Sequence, residues 1–390
     1  MKFGFRLVGI VIFVTVMSLC VLSPVNSGTY SVNSTWESWM IEDLLDNNAS
    51  ITELRFSSIT GSLYENIMLT INRAINITCD VGVVLSGLDN GECSGWGFDV
   101  TASGVNITGL TMTGYTQAIS FTGANNVGVY NSNISGNSRG ISVDSGTNVV
   151  IANNALNNNY DSGIDVESSR NVNVSGNNLR GNSGDSVNVY LSNNVNVSRN
   201  NVKSGGENGI SVSESNNVNV LDNNVDGNGG DGIRVDSYDS SSNVNVKGNT
   251  VKNNRGNGIK VDGPSKVSLT SNVVENSGED GIAVVYSKNV DVKSNNVSKS
   301  NNGISVDSSE NVNVVGNNVK NNRDNGVFVD SSNKVVIDSN NIDSNSAYGI
   351  DMTYSDNSKI FNNNIRNNKI SGISSLFGNN NSFSQKYSAK

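Results

Sequence analysis

The chain has 390 residues, with 26 Lys and Arg against 35 Asp and Glu, 40 Gly, 2 Pro, 3 Cys and no His. A net charge of −9 with no basic stripe excludes a nucleic-acid surface and an anionic-lipid surface, because both need clustered positive charge. The missing histidine excludes any chemistry that relies on imidazole as base, proton shuttle or metal ligand.

At the N-terminus Lys2 and Arg6 precede an apolar run from Leu7 to Leu22, followed by Pro24 and small residues around Ser27. This three-part pattern reads as a secretory signal over residues 1–27, so the mature chain is expected to be secreted or held at the cell surface. An uncleaved anchor is the alternative, but about 16 apolar residues are short for a bilayer span. Cys20 follows Leu19, where a lipoprotein site needs a small residue. Without Lys2 and Arg6 the chain carries 24 basic against 35 acidic residues, a net of −11.

Residues 28–50 are expected to form an N-terminal cap. The stretch Asn33 to Asn47 predicts a short amphipathic helix capped by Ser34 or Thr35, with Glu37 in its first turn and Trp36, Met40, Ile41 and Leu44 on one face. Residues 51–117 read as degenerate coils, with strands around Leu54 to Ile59, Met68 to Ile71, Ile75 to Ile77 and Gly97 to Val100. Cys79 and Cys93 both fall here and are expected to pair in an oxidising compartment; two reduced thiols or a two-ligand metal site are the alternatives.

Regular coils are expected over 118–371. From Gly140 onward one sentence recurs, Gly-Ile-x-Val-Asp-Ser-Ser-x-Asn-Val-Asn-Val-x-Gly-Asn-Asn-Val. Its starts are Gly140, Gly163, Ser186, Gly209, Gly232, Gly258, Gly281, Gly303, Gly326, Gly349 and Gly372, spaced 23 residues apart save for one 26 and one 22. With the opening Gly as position 0, apolar residues stand at 1 and 3, at 9 and 11, and at 16. Alternation at two residues marks two clear strands and a third shorter one, each with one buried face. No copy could bury that face alone, so copies must stack one strand spacing apart, about 4.8 Å. The result is an all-β, right-handed, single-stranded parallel β-helix, about 50 Å long from Gly140 to Gly372.

Position 14 is Asn in all ten copies: Asn154, Asn177, Asn200, Asn223, Asn249, Asn272, Asn295, Asn317, Asn340 and Asn363. An amide can donate to one coil and accept from the other, and Asn tolerates left-handed turns, so an internal structural ladder is expected. A second column at position 8 holds Asn148, Asn171, Asn194, Asn217, Asn243, Asn289, Asn311 and Asn357, interrupted by Lys266 and Lys334, and is read as partly exposed. Residues 372–390 form the final coil, where Leu376, Phe377 and Phe383 are expected to fold over the end of the core.

These copies resemble the parallel β-helix repeats of the pectin-lyase-like superfamily, closest in style to adhesin-like surface proteins of methanogenic archaea and the β-helix domain of NosD-type periplasmic copper-binding proteins. The resemblance covers about residues 51–380 and implies the fold; it does not fix a function, since the fold carries lyases, hydrolases, epimerases, tailspikes and adhesins. Copper loading of the NosD type wants His, Met and Cys, and six scattered Met do not supply it. The His-dependent polygalacturonase-like and epimerase-like motifs are absent.

What the resemblance leaves open is calcium-assisted β-elimination, as in pectate-lyase-like members, which needs a carboxylate cluster and an Arg or Lys base. On outward positions 2 and 4, where that superfamily builds sites, Asp144, Asp165 and Glu167 are the weak calcium candidates. No Arg or Lys stands near them on these columns, which weakens the lyase reading. Farther along, Asp236 and Asp262 face Arg234 and Lys260, and Asp307 and Asp330 continue the column past Val285. Among the glycosylation sequons, Asn173 and Asn196 stand on an outward column. The expectation is therefore a non-enzymatic rod with no cofactor and no catalytic residue, serving as an adhesin-like, glycan-binding or structural envelope protein. Its partner would be a polysaccharide or cell-envelope surface, with no membrane contact beyond the signal. A calcium-dependent polysaccharide lyase is the alternative.

Overall fold

The computed structural model describes residues 28–89, 91–238 and 242–384; the expected signal segment lies outside the described residues. Among these residues the strands form three parallel sheets, and the chain visits them in rotation. Sheet 1 has 16 strands running from Gly28–Val32 to Ser382–Ser384, sheet 2 has 14 from Leu63–Glu65 to Asn364–Arg366, and sheet 3 has 14 from Leu69–Ile71 to Ser371–Leu376. In the regular copies positions 1 to 4 lie in sheet 3, the second strand in sheet 1 and the third in sheet 2. A two-stranded antiparallel hairpin, Leu88–Asp89 with Glu92–Cys93, interrupts an early coil.

Register follows the apolar pattern. Ile141 pairs with Ile164 and Val143 with Val166 in sheet 3, while Val149 pairs with Val172 and Ile151 with Val174 in sheet 1. All of these side chains are buried, as is Leu156 at position 16. Each buried Val, Ile or Leu contributes about 1.5–3 kcal/mol relative to an exposed one, so five per coil make a core that grows with every repeat.

Polar ladders line the corners. At position 14 each Oδ1 accepts from the backbone N–H and the Nδ2 of the Asn one coil earlier. Asn223 donates in this way to Asn249 at 2.9 and 3.0 Å, and its Nδ2 also donates to the carbonyl of Val197 at 2.9 Å. The left-handed residue is not the ladder Asn, as expected from the sequence, but the one before it: Asn153, Gly176, Arg199, Asp222 and their equivalents have positive φ. The turn bends at that residue, which frees the ladder Asn to point inward. The position 8 column is left-handed at most of its members and largely exposed, with Asn171 donating to Asn148 at 3.0 Å.

Two further internal ladders were not read from the sequence. Position 19 carries Asn137, Asn159, Asn182, Asn228, Asn254, Ser277, Ser300, Asn322 and Asn345, linked as in Asn159 Nδ2 to Asn182 at 3.0 Å. Position 6 carries Ser169, Ser192 and Ser215, then Ser287, Ser309 and Ser332, with each backbone N–H donating to the next Oγ at about 3 Å.

The helix spans Ser38–Asn47 and contacts the first strand of sheet 3, Leu69–Ile71. Ile41 and Leu45 are its buried residues, with Trp36 and Leu44 packed alongside. Its N-cap is Glu37, without a side-chain cap bond, rather than Ser34 or Thr35. Ser34 instead meets Thr60, and Thr35 meets Asn33. The segment 28–50 also holds a strand, Gly28–Val32, which extends sheet 1. At the other end Leu376, Phe377 and Phe383 are exposed and do not fold over the core; Phe377 stacks on Tyr354 with centroids 5.1 Å apart. Among the described residues no helix is long and apolar enough to cross a membrane.

Candidate binding face on sheet 3

Because strand residues alternate between faces, positions 2 and 4 of every copy project outward from sheet 3 in two columns. Register confirms the columns: Ser142, Asp165, Asn188, Ser211, Arg234 and Lys260 follow one another, beside Asp144, Glu167, Tyr190, Ser213, Asp236 and Asp262. A third column precedes the opening Gly, with Asp185, Asn208, Asp231, Asn257, Asp280, Asn302 and Asn325 alternating acid and amide for its first six members. Each carboxylate or amide oxygen accepts the backbone N–H of the next member, from Asn208 to Asp185 at 2.9 Å through Asn325 to Asn302 at 3.2 Å. Burial pushes the Asp185 and Asp280 carboxyls upward, against hydrogen bonds that pull the other way. Alternation keeps these acids about two strand spacings apart, which limits their repulsion.

Asp144, Asp165 and Glu167 share the face but do not gather around a point. Asp144 accepts from Ser145 at 2.7 Å, and Asp165 accepts from Asn188 Nδ2 at 2.9 Å. Among the described residues no three His, Cys, Asp or Glu side chains form a metal-holding group. Burial raises the Asp165 pKa, offset by the Asn188 amide and by Arg139. Arg139 is the neighbouring cation that the columns did not show: it pairs with Asp161 at 2.8 Å, and Asp161, Asp165 and Glu167 together favour its charge. It stands one residue before Gly140, off both columns.

The middle of the face is different. Arg234 reaches Asp236 at 3.3 Å and both Asp231 and Asp262 at 3.6 Å, while Lys260 reaches Asp262 at 3.3 Å. Next to them a shallow cleft of about 280 Å³ is lined by Arg234, Asp236, Tyr238, Asp262, Gly263 and Tyr286. Exposed aromatic side chains mark this edge of the face along its length: Tyr190, Tyr238, Tyr286, Tyr354 and Phe377, at positions 4 to 6 of their copies. The four tyrosines are sparse within a repeat dominated by Asn, Val and Asp, which hides them in the sequence, and Phe377 was expected to cover the core instead.

The expected disulfide is not formed; Cys79 and Cys93 are free thiols. Cys79 ends a sheet 1 strand and donates to the Gly109 carbonyl at 2.9 Å, whereas Cys93 lies on the hairpin. A sheet 2 strand, Val84–Ser86, separates them along the coil, so they occupy different corners. Asn173 and Asn196 do lie on an outward column of sheet 1, half-buried, with Nδ2 of Asn196 donating to Asn173 at 2.8 Å. Asn196 Nδ2 also donates to Ser198 at 2.9 Å and Asn173 Nδ2 to Ser175 at 3.1 Å, so a glycan on either amide would replace an N–H that takes part in these bonds.

Two overlapping stretches, 68–257 and 183–283, match the family described as periplasmic copper-binding protein (NosD), and residues 237–386 match the right handed beta helix region. The chain belongs to the NosD family. Its NosD match runs over more than half of the 390 residues. No curated relative matches it. Among solved structures it is similar to a periplasmic alginate epimerase AlgG double mutant, at 15% identity over 92% of this chain and 84% of that one, TM-score 0.55. It is similar also to the catalytic unit of a thermostable GH87 α-1,3-glucanase from Streptomyces thermodiastaticus, at 15% identity over 92% and 69%, TM-score 0.54. The Azotobacter vinelandii mannuronan C-5 epimerase AlgE6 A-module follows at 14% identity over 93% and 92%, TM-score 0.51. At such identities the likeness is one of fold. The family's copper does not fit this NosD chain: Met112 and Met352 are core residues, Cys79 and Cys93 sit apart, and imidazole is lacking altogether.

Proposed function

We propose that this protein is a non-enzymatic extracytoplasmic rod that holds an extended glycan of the cell envelope along the sheet 3 face. The observation that carries the proposal is the row of exposed aromatics on one edge of that face, from Tyr190 to Phe377. Sugar rings have apolar C–H faces that stack on such side chains, while their hydroxyls reach the Asp, Asn, Ser and Arg of the adjoining columns. The columns are straight because the coils are uniform, which suits a polymer rather than a small ligand. An extracytoplasmic place is supported by the N-terminal signal pattern and by the periplasmic family description. An adhesin-like role is supported by a face that offers stacking rings and hydrogen-bonding columns to a polymer.

The test is electrophoresis of the secreted chain through gels containing neutral, amino-sugar or uronate polysaccharides, with reducing ends followed in parallel. Retardation in at least one gel is expected, weakened by the double variant Tyr354→Ser, Phe377→Ser. Absence of retardation in every gel overturns the glycan-binding proposal, and release of new reducing ends overturns its non-enzymatic part.

A further inference from the structure

The three-residue insertion in the regular coils coincides with the cleft on sheet 3. The Ser ladder at position 6 runs from Ser169 to Ser215 and resumes at Ser287. Between them one coil carries the three extra residues that make its length 26, and places Tyr238 at position 6, almost wholly exposed; the next has Gly263 and Pro264 at positions 5 and 6. Insertions in repeat proteins collect on one face, commonly the binding face, and departures from a repeat's own rules mark function more than stability.

We propose that Tyr238 and Tyr286, across Gly263, form a slot for a single pyranose ring of a glycan that bears no acidic group. This rests on the glycan-binding reading above and narrows it to a substrate class and a subsite. Tyr238 and Tyr286 belong to coils two apart and are offset by one position, so their attachment points are separated by about 10 Å, and a ring midway lies about 5 Å from each, within stacking range. Gly263 opens the gap: its φ of +87° is left-handed, and a Cβ there would strike the Ser237 carbonyl. At about 280 Å³ the cleft is slightly smaller than a typical drug-sized pocket and holds one ring rather than several.

Charge selects the ring. Arg234 and Lys260 are outnumbered by Asp231, Asp236 and Asp262: Arg234 is tied to all three at 3.3 to 3.6 Å and Lys260 to Asp262 at 3.3 Å. Glu214 adds a further carboxylate, accepting from the Tyr238 backbone N–H at 2.7 Å. A uronate would therefore meet net negative charge, whereas hydroxyl, acetamido N–H or ammonium donors would meet acceptors. Asp236 receives Ser213 at 2.8 Å and Arg234, and a carboxylate offers about four acceptor positions, so capacity remains for a ligand.

The experiment is calorimetric titration of the secreted chain with trisaccharides of N-acetylglucosamine, glucosamine and galacturonic acid. Binding of one or both of the first two and at least tenfold weaker binding of the third is expected. Tyr286→Ser and Tyr238→Ser should each weaken the bound trisaccharide about tenfold or more without lowering Tm; serine already occupies position 5 in the copies with Ser308 and Ser331, and position 6 in most others. Preference for galacturonate, or unchanged binding in both variants, overturns the slot. If polysaccharide gels still retard those variants and wild type alike, the slot fails while the binding face stands; if no gel retards the wild type, the face itself fails.

Discussion

Asn223 sits in mid-stack with three donated bonds of its own and an Oδ1 that accepts from Asn200 at 2.9 and 3.0 Å. Asn223→Ala strands those neighbours in a dry corner, and the expected loss is about 1–3 kcal/mol, read as a lower denaturation midpoint. Asp80 is a different case, solvated and held by the Ser58 backbone N–H at 2.9 Å and by Arg55 at 2.7 Å. Those bonds lower its pKa to about 2, below the ~3.9 of an unfolded aspartate. Its contribution is thus complete above the unfolded value and is lost as pH falls through about 2. Asp80→Asn should melt below wild type at neutral pH, with the gap closing between about pH 4 and pH 2. The position 14 ladder was legible because its residue never varies. The position 19 ladder was not, since Asn, Ser and Gly alternate there and all three serve the same corner. Arg139 escaped for a geometric reason: it opens the sheet 3 strand Arg139–Asp144 one residue before the Gly, and its long side chain reaches the face without belonging to the position 2 or position 4 column.

At the scale of elements, the helix Ser38–Asn47 finishes an otherwise bare sheet edge. Ser38 Oγ accepts the Met68 N–H at 2.9 Å, and Glu42 accepts the Thr70 N–H, also at 2.9 Å. An open strand edge invites pairing with another chain, and these side chains occupy its donors. The double variant Ser38→Ala, Glu42→Ala should lose about 1–3 kcal/mol and show concentration-dependent self-association in sedimentation. The amphipathic pattern predicted that a helix would stand here. Its start was not legible, because Ser34 and Thr35 are good capping residues whose hydroxyls are instead engaged by Thr60 and Asn33, and the helix begins after Glu37 without a side-chain cap bond, where the sheet edge lies. The same dependence explains the cysteines: their shared region and an oxidising compartment suggested a pair, whereas the corner each one occupies is set by a short sheet 2 strand and a hairpin that carry no strong pattern.

For the whole molecule, repetition makes coils interchangeable. Removing residues 303–348 joins Asn302 to Gly349, the same dipeptide step that opens the coil at Gly303. The shortened protein should fold cooperatively, keep its β circular dichroism and lose about 10 Å of length in small-angle scattering. Loss of folding would show that those two coils are more than spacers. The rod itself was legible from spacing alone, while the binding face was not, since its distinguishing residues are those that break the repeat.

Interchangeability also carries a hazard during folding. A strand that skips a whole coil lands on nearly identical neighbours, Val over Val and Asn over Asn, so local energetics scarcely reject the mistake. Only unequal coils can. The 26-residue coil at Gly232 and the 22-residue coil at Gly281 will not superpose on their neighbours without looping out or stretching chain. They act as index marks, and cutting the long coil back to 23 residues should raise the yield of out-of-frame, kinetically trapped species on refolding.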